Sequence, residues 1–200
     1  MRRSFMSVMM VALIVGPGLA QEKPVPTDAE KAAMAEIKKL GGNVMEIAQN
    51  DARLDVAFHL ADTKITDAQM ALVQQLPKTM ILNLRGTEVT DAGLAQLKDL
   101  KGLTKLHLEK TKITDAGLEH LKGLENLEYL NLYGTAVTDA GLKHLEGLKK
   151  LKRLYLWQTT ASDAGVAALK AAVPEILIVR ALELPKPPPP AEVKPEEKKP

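Results

Sequence analysis

Two alternations share this chain, and they take turns at a fixed interval. From Leu103 to Leu127 the sequence reads LTKLHLEKTKITDAGLEHLKGLENL. Leu106 and Leu108 alternate with Lys105, His107 and Glu109, the period of a short strand with one buried face. Leu118, Leu121 and Leu124 then recur every third residue, which predicts a short helix or tight helical coil. The whole pattern returns every 24 residues: Thr63, Thr87, Thr111, Thr135 and Thr159 form one column, Asp67, Asp91, Asp115, Asp139 and Asp163 a second, and Leu60, Leu84, Leu108, Leu132 and Leu156 a third. A fixed period in this range predicts stacked supersecondary units. One such unit cannot bury enough apolar surface to offset the entropy of ordering its own backbone, so neighbours must share a core.

The copies read Leu-x-x-Leu-x-Leu-x-x-Thr followed by Ile-Thr-Asp-Ala-Gly-Leu-x-x-Leu. This wording resembles the leucine-rich repeat, and its helical half is most similar to the subclass whose consensus carries Cys where this chain has Thr. More narrowly, VTDAGL and LYLWQT (154–159) resemble repeats of exported planctomycete proteins. The resemblance covers residues 55–175. It implies an α/β solenoid, with short parallel strands on the concave face, short helices on the convex face, and a binding rather than a catalytic role.

The array is flanked by other material. Residues 1–20 carry Arg2 and Arg3, an apolar run from Phe5 to Val15, and Gly18 and Ala20 at positions a signal peptidase reads. This predicts a signal peptide cleaved after Ala20; the alternative, a membrane anchor, is disfavoured because the run stops short of the ~20 residues that span a bilayer. Arg2-Arg3-Ser4-Phe5-Met6 also resembles a twin-arginine export motif, which leaves the export route open. Residues 21–54 read as a linker, a capping helix from the Thr27-Asp28-Ala29-Glu30 capping-box wording, and a strand. Five repeats occupy 55–175, and residues 176–184 are expected to close the stack. Residues 185–200, PKPPPPAEVKPEEKKP, hold seven of the twelve prolines and predict an extended, solvated tail.

Charge and composition narrow the function. The chain has 27 basic and 25 acidic residues, and loss of Arg2 and Arg3 would leave 25 against 25, without the basic footprint of a nucleic-acid binder. It has no Cys, hence no disulfide and no thiolate metal site. His120 and His144 share a column but have no third ligand, and no nucleophile–base pair stands out. The expectation is therefore no enzyme, no catalytic residue, no metal and no cofactor. The Asp column is read as helix caps, and the Thr column as inward hydroxyls bonded to loop backbone. The Gly column, Gly93, Gly117, Gly141 and Gly165, is read as room for close packing.

The aromatic residues break the repetition. Beyond residue 20 they are Phe58, Tyr129, Tyr133, Tyr155 and Trp157, and all but Phe58 fall at outward strand positions. The outward rows read Ala57, His59, Ala61; Ile81, Asn83, Arg85; Lys105, His107, Glu109; Tyr129, Asn131, Tyr133; Arg153, Tyr155, Trp157. Exposed Tyr, Trp and Arg are enriched at binding hot spots, so Tyr129, Asn131, Tyr133, Arg153, Tyr155 and Trp157 are the candidate ligand-binding residues. The competing reading is that the same aromatics shield the last repeat. The expected partner is a protein or cell-envelope ligand, with a glycan open, for an exported protein of the periplasm, envelope or exterior. No nucleic acid and no membrane span in the mature chain are expected. A structural scaffold or spacer attached through the Pro-rich tail is the alternative function.

Overall fold

A computed structural model describes residues 25–61 and 63–180. The expected signal peptide, the end of the closing segment and the Pro-rich tail lie outside the described residues.

Helix α1 (Asp28–Lys39) begins at the capping box that the sequence predicts: Thr27 Oγ1 accepts the Glu30 N–H at 3.2 Å, and Glu30 Oε2 accepts the Thr27 N–H at 2.6 Å. Ala33 and Ile37 bury one face of the helix. A seven-stranded sheet follows in chain order: β1 (Asn43–Glu46), β2 (Leu54–Ala57), β3 (Thr79–Asn83), β4 (Lys105–His107), β5 (Tyr129–Asn131), β6 (Arg153–Tyr155) and β7 (Leu177–Val179). Only β1 with β2 is antiparallel; every later pairing is parallel. Each parallel connection carries a short helix: α2 (Met70–Gln74), α3 (Asp91–Ala95), α4 (Asp115–Glu119), α5 (Asp139–Leu142) and α6 (Asp163–Ala172). Leucine columns from strands and helices meet in one core; Leu106, Leu108, Leu118, Leu121 and Leu124 are wholly buried. This is the α/β solenoid the period predicts.

The turns after β3, β4, β5 and β6 each use one left-handed residue. Gly86 (φ 72), Lys110 (φ 55), Gly134 (φ 68) and Gln158 (φ 56) supply it at the same 24-residue spacing, two without the steric freedom of glycine.

The Thr column behaves as expected in four copies. Thr87, Thr111, Thr135 and Thr159 each donate a hydroxyl, at 2.7 Å, to the carbonyl three residues earlier. Thr63 departs and donates to the Leu40 carbonyl of the capping segment instead, at 2.8 Å.

That departure belongs to a correction in the first repeat. Asp55 pairs with Ile81 and Ala57 with Asn83, an offset of 26, whereas Ile81 pairs with Lys105, an offset of 24. The outward row of β2 is therefore Asp55 and Ala57, not Ala57 and His59, set beside Ile81 and Asn83. Phe58 fills the place that Leu84 fills one repeat later, and Leu60, expected inside, is 75% exposed. The physical reason is that Leu54, Val56, Phe58 and Leu60 all alternate correctly, so period alone leaves a choice of two-residue slips. Antiparallel pairing of Val44 with Val56, together with a bulge between Leu54 and Asp55, settles it.

The Asp column is structural in a different way from that expected. The N-caps are the preceding hydroxyl residues, Thr90, Thr114, Thr138 and Ser162, whose side chains accept a backbone N–H of their own helix. Each Asp, freed from capping, bonds to the next repeat. Asp67 accepts the Thr90 N–H at 2.7 Å and its hydroxyl at 2.6 Å; Asp91 holds Thr114, Asp115 holds Thr138 and Asp139 holds Ser162 in the same way. A Cβ built on Gly93, Gly117, Gly141 or Gly165 would lie 2.3–2.5 Å from the carboxylate of the preceding repeat. The Thr-Asp-Ala-Gly wording is thus an inter-repeat clasp, with glycine leaving room for the carboxylate. At the two ends of the described solenoid other partners stand in: Gln69 Oε1 accepts the Thr66 N–H at 2.8 Å, and Asp163 receives the Arg180 guanidinium.

Candidate functional site

Strand alternation sends Leu130, Leu132, Leu154 and Leu156 into the core and leaves their neighbours on the open sheet face. Register places Lys105, Tyr129 and Arg153 in one row across three strands, and His107, Asn131 and Tyr155 in the next. Tyr133 and Trp157 follow beyond the strand ends. Their rings stack with centroids 4.9 Å apart and planes 12° from parallel, and Lys110 Nζ sits 5.6 Å from the centre of the Tyr133 ring. Trp157 nevertheless keeps 37% of its surface exposed, so it is packed on one side only.

A second aromatic line crosses the same face. The His107 and Tyr129 rings are 4.7 Å apart, and those of Tyr129 and Tyr155 are 5.4 Å apart, both tilted. Tyr129 leans out of its own row to join the next. Burial raises the pKa of its phenol, aided by the charge of Glu109 and opposed by the hydrogen bond from Asn131.

Glu109 ties this line to the strands. Its Oε1 meets His107 Nδ1 at 3.1 Å and accepts Asn131 Nδ2 at 2.7 Å; Asn131 Oδ1 in turn accepts the Tyr133 N–H at 3.1 Å. Glu109 is 7% exposed, and its Oε2 is the one buried side-chain polar atom without a hydrogen-bond partner among the described residues. A buried carboxylate oxygen left unpaired costs free energy, and the cost falls at the centre of the open face. Strand alternation places His107 and Glu109 in one outward row without showing that they bond. The available signal was their spacing: residues two apart on one strand share a face, and their side chains touch.

Two depressions flank this knot. One, about 410 Å³, is lined by Lys105, His107, Glu128, Tyr129, Lys152 and Arg153. The other, about 320 Å³, lies toward the first strands, among Met45, Asp55, His59, Leu60, Ile81 and His107. Of the six candidate residues, Tyr129, Asn131, Arg153 and Tyr155 converge around the knot and the first depression, while Tyr133 and Trp157 form a separate stacked pair above it. Among the described residues, no three His, Asp or Glu side chains come together as a metal site, and no helix is long and apolar enough to cross a membrane.

Residues 101–159 match the family model for the leucine rich repeat. That stretch covers β4, β5 and β6 with α4 and α5, and is similar to leucine-rich repeats. The parallel sheet to which it belongs continues on both sides, from β2 to β7. Comparison with curated proteins gives no match. Among solved structures, internalin C2 from Listeria monocytogenes is similar at 30% identity, covering 55% of this chain and 44% of that one, with a TM-score of 0.47. The leucine-rich-repeat ectodomain of the receptor kinase SOBIR1 from Arabidopsis thaliana is similar at 13% identity, covering 77% of this chain and 91% of that one, with a TM-score of 0.49. A leucine-rich-repeat protein of Leptospira interrogans is similar at 21% identity, covering 61% and 36%, with a TM-score of 0.44. The chain spans less than half of the internalin.

Proposed function

We propose that this protein is an exported, non-enzymatic recognition module that binds a protein partner through the C-terminal half of its concave sheet. The observation that carries the reading is the Tyr133–Trp157 stack: two large aromatics packed on each other, with Trp157 still 37% exposed. A pair that only closed the core would bury its outer face. Rigid aromatics on strands lose little conformational entropy when a partner covers them, which is what a hot spot requires. Export rests on the leader-like composition of residues 1–20, and a cell-envelope or extracellular partner follows from export.

The proline content of residues 185–200 favours a second reading, a scaffold fixed through its tail. Affinity capture from the native envelope separates the two. Recognition predicts that a Tyr133→Ala, Trp157→Ala chain loses its partner while a chain lacking residues 185–200 keeps it; the reverse pattern makes the protein a scaffold.

A further inference from the structure

We propose that the depression between Lys105 and Arg153 receives the carboxylate of an acidic segment on the partner, an inference that rests on the recognition reading and adds the chemistry of the bound group.

Lys105 and Arg153 stand on either side of Tyr129 in one register row, two strand spacings or ~10 Å apart at the backbone. Both are exposed, and neither has an ion-pair partner among the described residues. The one acidic residue lining the depression, Glu128, is already paired with Lys152 at 3.0 Å. The charge left uncompensated at the mouth is therefore positive. The buried Glu109 offsets only part of this charge, one carboxylate against Lys105 and Arg153, with its Oε1 already engaged by His107 and Asn131.

The walls suit a carboxylate held from two sides. Arg153 offers a planar fork of donors that matches carboxylate geometry, and Lys105 adds a mobile point charge opposite. Tyr129 forms the floor between them, fixed by its contacts with His107 and Tyr155. His107 lines the same depression, and its Nδ1 is engaged by Glu109, so the ring is held in place with Nε2 unengaged. In this arrangement Glu109 acts as a positioning residue, keeping the wall rigid before the partner arrives.

The test is calorimetric titration of the full chain with three short capped peptides: one of Asp and Glu, its Asn and Gln isostere, and one rich in Arg. The acidic peptide should bind saturably, weaken as salt rises, and exceed its amide isostere by about tenfold or more. A Lys105→Gln, Arg153→Gln chain should lose the same factor; a Lys98→Gln, Lys170→Gln chain, altered away from the sheet, should lose none. Equal binding of the isostere, no loss in the first variant, or no saturable binding of the acidic peptide overturns the proposal. So does preferential binding of the Arg peptide that vanishes in Glu109→Gln, which would put a cation on the spare Oε2. The same variants separate this inference from its premise. Partner capture lost with Tyr133→Ala, Trp157→Ala but kept with Lys105→Gln, Arg153→Gln leaves recognition standing and removes the acidic group; capture kept by both removes the recognition reading.

Discussion

Asp115 reaches across the repeat boundary to Thr138, taking its backbone N–H and its hydroxyl at 2.7 Å each, and in doing so occupies the space that a side chain on Gly141 would need. Three sets of positions that look independent in the sequence, the capping hydroxyls of Thr90, Thr114, Thr138 and Ser162, the Asp column and the Gly column, are one device repeated at each junction. Because repeats contact only their neighbours, these clasps act at the interfaces that make the stack cooperative.

Asp115→Ala should cost about 2 to 3 kcal/mol, since two charge-assisted hydrogen bonds disappear together. Asp115→Asn should cost less, because its one amide oxygen can still accept the Thr138 N–H. Gly141→Ala should destabilise the wild type by about 1 to 3 kcal/mol, the usual range for overpacking. The cost should shrink when Asp115 is already Ala, because the carboxylate the new Cβ meets is gone. Urea denaturation of this double-mutant cycle checks the clasp; additive effects would disprove it.

Thr111→Val removes the hydroxyl that the Leu108 carbonyl accepts at 2.7 Å, but that carbonyl keeps the Thr111 N–H at 3.3 Å. The acceptor is weakened rather than orphaned. We therefore expect a loss of about 1 kcal/mol, at the low end for a buried hydrogen bond, by the same denaturation measurement.

Asp139 links the clasp to pH. The hydroxyl and then the backbone N–H of Ser162 hold its carboxyl below the ordinary Asp range, with Arg180 adding to the effect. A depressed folded-state pKa gives stability that is present above the unfolded-state value and is lost as pH falls through the folded one. Thermal unfolding followed from neutral pH down into the acid range should show this loss, and Asp139→Asn should flatten it.

Glu109 predicts the opposite sign from most buried polar residues. Its Oε2 is unpaired, so Glu109→Gln removes an incompletely compensated charge while leaving an oxygen for Asn131. Stability should stay level or rise. A fall of about 3 kcal/mol or more, the cost of breaking a well-paired buried charge, would make Glu109 a structural anchor and not a group kept for binding.

Much of this architecture is legible in the sequence. The Leu106 and Leu108 alternation gives the strands, the Leu118, Leu121 and Leu124 spacing the coils, and Thr111 its inward hydroxyl, because one residue type at one position in each unit reports a local backbone need. The first repeat was not legible, since Phe58 and Leu60 satisfy the same alternation and only the β1–β2 pairing chooses between them. The Asp column was half legible. A local rule points to capping, but the actual partner lies 23 residues away on the neighbouring repeat. The open face shows the same limit: outward positions of Tyr129 and Trp157 follow from period, whereas the Glu109 knot depends on which side chains lean across rows.

The most direct test of the central claim is hydroxyl-radical footprinting of the full chain with and without its captured partner. Aromatic side chains report their own solvent exposure, and Trp157 is the only tryptophan. Recognition by the concave sheet predicts that labelling of Trp157, Tyr133 and Tyr155 falls on binding while that of His120 and His144, in the helical segments, stays constant. Unchanged labelling of Trp157 with protection of the helical side would contradict it.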